Sequence, residues 1–74
     1  MVDLYEKLVE IMTREMGTLG KFIVKKQCTE NGINPDNIRK EDLPVLANAL
    51  YKVMLTFGGQ EKAEKLKKEI LSLK

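Results

Sequence analysis

"NGINPDNIRKEDLP", residues 31–44, decides how this chain folds, because the segments on either side of it carry the spacing of amphipathic helices. It holds Gly32, Pro35 and Pro44, the asparagines 31, 34 and 37, and the acids Asp36, Glu41 and Asp42. Three readings compete: a metal loop, a DNA-reading turn, and a joint between helices. A calcium loop of the EF-hand kind needs acids at alternating positions around a central glycine. No glycine lies between Asp36 and Asp42, so that spacing fails.

A degenerate helix-turn-helix over residues 24–40 fits better. Cys28, Gly32, Ile33 and Ile38 have the small–Gly–apolar–apolar spacing of such a unit. Asn34, Asp36, Asn37, Arg39 and Lys40 would then face a groove. Against it, Asn31 is polar where an apolar residue belongs, and Glu41 falls where the reading helix should bury a side chain. Glu41 and Asp42 would also repel phosphates.

The joint reading gives every unusual residue a structural role. Gly32 suits the left-handed position that ends a helix, with Ile33 as its apolar partner. Asn34 caps a single turn begun by Pro35, and Ile38 drops into the core. Glu41 and Asp42 complement the positive end of the next helix, by about 0.3–1 kcal/mol each. Pro44 is tolerated inside that helix's first turn. Ile38 and Leu43 are placed to meet across the helix start.

Outward from this joint the spacing predicts four helices, at about 3–16, 18–30, 41–57 and 60–73, with a short turn at 34–38. In the first, Asp3 and Glu6 have the spacing of a capping box, and Leu4, Leu8, Ile11 and Met12 follow at helical intervals. In the second, Leu19, Phe22, Ile23 and Val24 are the apolar residues, while Lys21, Lys25 and Lys26 point to solvent. Gly20 lowers its helix propensity by about 1 kcal/mol and makes room for another helix to come close. In the third, Leu43, Leu46, Ala47, Leu50, Met54 and Phe57 fall on one face, and Val45, Ala49 and Val53 make a second apolar edge. Gly58-Gly59 stops it. The fourth carries a narrow stripe of Ala63, Leu66, Ile70 and Leu73. The expected fold is all-α: one compact, four-helix bundle-like domain over 1–74.

The 74 residues include 13 Lys and Arg against 11 Asp and Glu, a formal net charge of +2, too weak to announce a nucleic-acid partner. Apolar residues at 43% can build a small core. A single cysteine points to a reducing compartment. No apolar run approaches the roughly 20 residues that span a membrane. The N-terminus lacks the layout of a signal peptide, so a cytoplasmic location is expected.

No enzymatic activity is expected. With no histidine, the usual neutral-pH base is missing. Cys28 reads as a small core residue; to act as a nucleophile it would need its pKa lowered by Lys21 and Lys25. One Cys and no His make no zinc site, and Gly58-Gly59 lacks the Lys-Ser/Thr of a phosphate loop. No metal or cofactor is expected. The segment 57–70 has the Gly59–Ala63 spacing of a helix-hairpin-helix but lacks its Gly-apolar-Gly turn, and its lysines read as a solvated face.

Taken together, "GKFIVKKQC", "NGINPDNI", "EDLPVLANAL" and "FGGQEKAEKLKKEI" resemble a small helical module of archaeal and bacterial proteins. That module occurs alone or attached to signalling and sensory domains. The resemblance covers residues 20–70 and rests on caps and core stripes. It implies a regulatory or scaffolding role and supplies no catalytic residues. Lys40 departs from it, standing where a proline would open the third helix.

The chain owns more apolar side chains than one small core readily hides. The expectation is therefore a non-enzymatic protein–protein interaction or regulatory module that can self-associate as a homodimer. Its candidate surface is Tyr5, Val9, Met12, Met16, Tyr51 and Leu55, with Leu71 also in surplus. The alternative is a small DNA-binding protein using residues 24–40, with Lys21, Lys25, Lys26, Asn37, Arg39 and Lys40 as contacts.

Overall fold

A computed structural model describes residues 3–73; residues 1, 2 and 74, the ends of the expected 1–74 domain, lie outside them. The described chain is all-α. The first helix, α1, spans Leu4–Met16. The Asp3 carboxylate accepts the N–H of Glu6 at 2.8 Å, which satisfies one of the donors left open at a helix start. Leu8, Ile11 and Met12 share one face and are buried.

The second helix, α2, spans Leu19–Glu30 and packs against α1 at one point more closely than a side chain would allow. The contact is made by Gly20. A Cβ there would lie 2.6 Å from both the Met12 carbonyl carbon and the Thr13 nitrogen, so only glycine fits between the two backbones. Val24 and Cys28 continue the same face one turn at a time, both fully buried.

α2 ends in a Schellman motif. The N–H of Ile33 donates to the Cys28 carbonyl at 2.8 Å, and that of Gly32 to the Thr29 carbonyl at 3.2 Å. Gly32 takes φ 69°, which costs a side-chain-bearing residue, and Ile33 folds back into the core.

Two 3₁₀ turns follow, Pro35–Asn37 and Lys40–Asp42. The Asn34 side chain accepts the N–H of Asp36 at 2.9 Å. The Arg39 N–H donates to the Asp42 carboxylate at 3.0 Å, while the Asp42 N–H donates to the Arg39 carbonyl at 2.9 Å. Ile38 packs against the core, Leu43 lies within it, and Pro44 sits in the first turn of the next helix. The stretch 31–44 is a joint in which each of these residues is used structurally.

The third helix, α3, spans Leu43–Leu71 and corrects the expected count: among the described residues there are three α-helices, not four. The two segments anticipated at 41–57 and 60–73 are its two arms, joined end to end at the non-helical Gly59 with no loop between them. It is not straight. A 29-residue helix would extend about 44 Å, yet the molecule measures 29 × 24 × 22 Å. The bend is at Gly59, whose φ 86° and ψ 170° lie in a region open in practice only to glycine. Tyr51 and Lys67, each eight residues from Gly59, would be about 24 Å apart along a straight axis. Instead the Lys67 Nζ lies 5.3 Å from the Tyr51 ring centre. The second arm therefore turns back on the first. Arg14 of α1 holds the returning arm through Glu69, with one oxygen at 2.6 Å.

The core collects Leu8, Ile11 and Met12 from α1, Val24 and Cys28 from α2, and Ile33 from the joint. The first arm of α3 adds Leu43, Leu46, Ala47, Leu50 and Met54, and the second adds Ala63, Leu66 and Ile70. Among the described residues, no polar or charged one is buried.

Candidate interaction surface

The buried face of α2 runs Gly20, Val24, Cys28. Phe22 is two residues from both Gly20 and Val24, about 200° around a helix. It therefore faces away from α1, and it is 70% exposed. Leu19, on the same outer side, is 58% exposed. Opposite them stands Phe57, in the last turn of the first α3 arm, 69% exposed. It continues the Leu50–Met54 stripe, but beside the Gly58-Gly59 corner the core has ended and nothing covers the ring.

These three side chains, with Met16, Ile23 and Val53, line an open groove of about 340 Å³ whose one charged lining residue is Lys26. A second hollow, of about 640 Å³, continues it along the seam between α2 and the first arm of α3. Gln27, Val53 and Phe57 belong to both. Val45 and Ala49 floor the second hollow, and Glu30, Asn48 and Lys52 rim it. Val45 is 43% exposed. The second apolar edge expected on the third helix, Val45, Ala49 and Val53, thus forms one wall of this seam.

Of the residues anticipated from sequence as a surface, one is buried, four are half-buried and one is exposed. Met12 is fully buried, packed in the core beside Gly20. Tyr5, Val9, Met16 and Tyr51 are half-buried and pack against the core. The Tyr5 hydroxyl itself points inward and is buried. Its pKa is raised, first by burial and then by the charges of Cys28, Asp36 and Asp3. Leu55 and Leu71 are exposed as expected, but neither lines the seam. Of the anticipated set only Met16 reaches the groove. Leu19 and Phe22, which the sequence shows only as apolar residues of the second helix, and Phe57, which its spacing places on the apolar face of the third, line the groove instead.

Cys28 is fully buried, and its thiol pKa is raised, first by burial and then by the Asp42 carboxylate. The lysines at 21 and 25 do not set its chemistry; it is a packing residue. Among the described residues, no group of three or more His, Cys, Asp or Glu could hold a metal ion. No described helix is long and apolar enough to cross a membrane.

Lys21, Lys25, Lys26, Asn37, Arg39 and Lys40 are all exposed, but they do not share one presenting element. The three lysines stand on α2. Asn37, Arg39 and Lys40 stand on the 3₁₀ joint, where Arg39 reaches Glu41 at 3.9 Å. Residues 34–42 form no α-helix that could enter a groove. Comparison of the chain with protein-family models, with curated proteins and with solved structures gives no match.

Proposed function

We propose that this chain is a non-enzymatic protein–protein interaction module that works through the α2–α3 seam. The observation that carries the reading is the pair of phenylalanines, 70% and 69% exposed, on either side of one apolar groove. A phenylalanine offers among the largest apolar areas of any side chain, and leaving two in water forfeits stability that a small domain needs. Contiguous apolar surface of this kind marks a place where another molecule sits. A regulatory or scaffolding setting, as the resemblance to small archaeal and bacterial helical modules implies, belongs to the same proposal.

The test is binding of a hydrophobic dye such as bis-ANS in dilute solution. Wild type is expected to enhance dye fluorescence several-fold, and Phe22→Ser/Phe57→Ser to lose most of that enhancement at unchanged far-UV circular dichroism. A wild type that leaves the dye dark, or a double variant that lights it equally, overturns the reading.

A further inference from the structure

We infer that the molecule covering this seam is a second copy of the same chain, docked by a two-fold axis. The inference rests on the interaction reading above and names its partner.

Area is the first argument. At about 200 Å² for a whole aromatic side chain, the two rings leave roughly 280 Å² in water on each copy. Leu19 and Val45 bring the apolar face to roughly 450 Å². A two-fold contact covering it on both copies removes roughly 900 Å². Homodimer interfaces are about 65% apolar, so the full contact comes to about 1,400 Å². That falls inside the range of about 1,200–2,000 Å² that stable, specific interfaces bury.

Charge is the second. In a two-fold contact the same patch meets itself, so a rim of one sign would repel its own copy. The rim here carries both signs: Lys26 and Lys52 against Glu30. The formal net charge of +2 adds little long-range repulsion. Shape agrees with both. Phe22, 70% exposed, lines the groove that a partner's ring would enter, so ring and groove lie on one surface, as self-docking requires.

Sedimentation velocity on the purified chain, from about 1 μM to about 1 mM, tests this. Wild type is expected to move from monomer to dimer across that range, with dye binding falling as the dimer forms. Phe22→Asp, which puts a charge on the contact face, is expected to raise the dimer dissociation constant at least about 30-fold. Phe22→Ser makes the same comparison with a gentler change, and Leu71→Asp, exposed and outside the seam, is expected to dimerise as wild type does. A wild type that stays monomeric while still binding dye overturns self-docking and leaves the interaction reading standing. A monomer that binds no dye overturns both. A dimer indifferent to Phe22→Asp and Phe22→Ser overturns the assignment of the face.

Discussion

On one side of α2, Gly20, Val24 and Cys28 lie four residues apart and wholly out of solvent; on the other, Leu19 and Phe22 stand in it. The closed side is built from small and medium residues, which let α1 approach until backbone meets backbone. The open side is built from large ones left mostly in solvent. Size runs opposite to the usual expectation that the bulkiest apolar residues fill the core. The contrast teaches that close helix packing is bought with small residues, while bulky ones on the far side are free for another use.

The sharpest way to break this contrast is to enlarge the closed side. Gly20→Val forces a Cβ, and methyls beyond it, into the Met12–Thr13 backbone. Overpacking of that kind costs about 3 kcal/mol or more. A domain of this length has about 4–11 kcal/mol in all. Urea unfolding followed by circular dichroism reads the loss; a variant as stable as wild type would show that α1 and α2 do not touch there.

A smaller effect is expected one turn further on. Cys28→Ser keeps the volume but buries a hydroxyl among apolar neighbours, at a cost of about 1–3 kcal/mol. The thiol also gives the contrast a pH signature. Its folded pKa lies above the unfolded value, so its contribution is complete below the ordinary thiol pKa and disappears as pH rises through the folded one. Tyr5 acts in the same direction at higher pH. Stability is therefore expected to decline above about pH 9, and thiol reagents to label native Cys28 about 10³-fold more slowly than the urea-unfolded chain. Rapid labelling of the native protein would place Cys28 outside the closed face.

The smallest effect belongs to the open side. In solution dilute enough to keep the chain monomeric, Phe22→Ser is expected to change unfolding free energy by no more than about 0.5 kcal/mol. A loss comparable to that of Gly20→Val would mean the ring is part of the core and would erase the difference between the two sides.

Much of the architecture was legible beforehand, and the legible parts share a cause. Asp3, Gly32, Ile33, Asn34 and Pro44 act on backbone within a few residues of themselves, so spacing along the chain is enough to read them. Gly20 was readable as a close approach because little else explains a glycine inside a helix. Whether a helix break at Gly58-Gly59 yields two helices or one bent one depends on how the arms pack, which local spacing does not carry. The open side of α2 is legible only through angle. Leu19, Phe22, Ile23 and Val24 are all apolar, so composition does not separate them, whereas Phe22 and Val24 lie about 160° apart around the axis, which puts them on opposite sides. Phe57 offered no such clue: its angle points coreward, and only the three-dimensional position of the corner leaves it uncovered.

The direction of the second arm is set at a single residue, Gly59. Helix runs up to it from both directions with no linker, so one pair of torsions separates a folded-back arm from a rod of about 44 Å. In a rod, Ala63, Leu66 and Ile70 would lose the core that now covers them. A side chain at Gly59 penalises the bent torsions and favours continuous helix, so the return of the second arm rests on torsions that only glycine adopts freely.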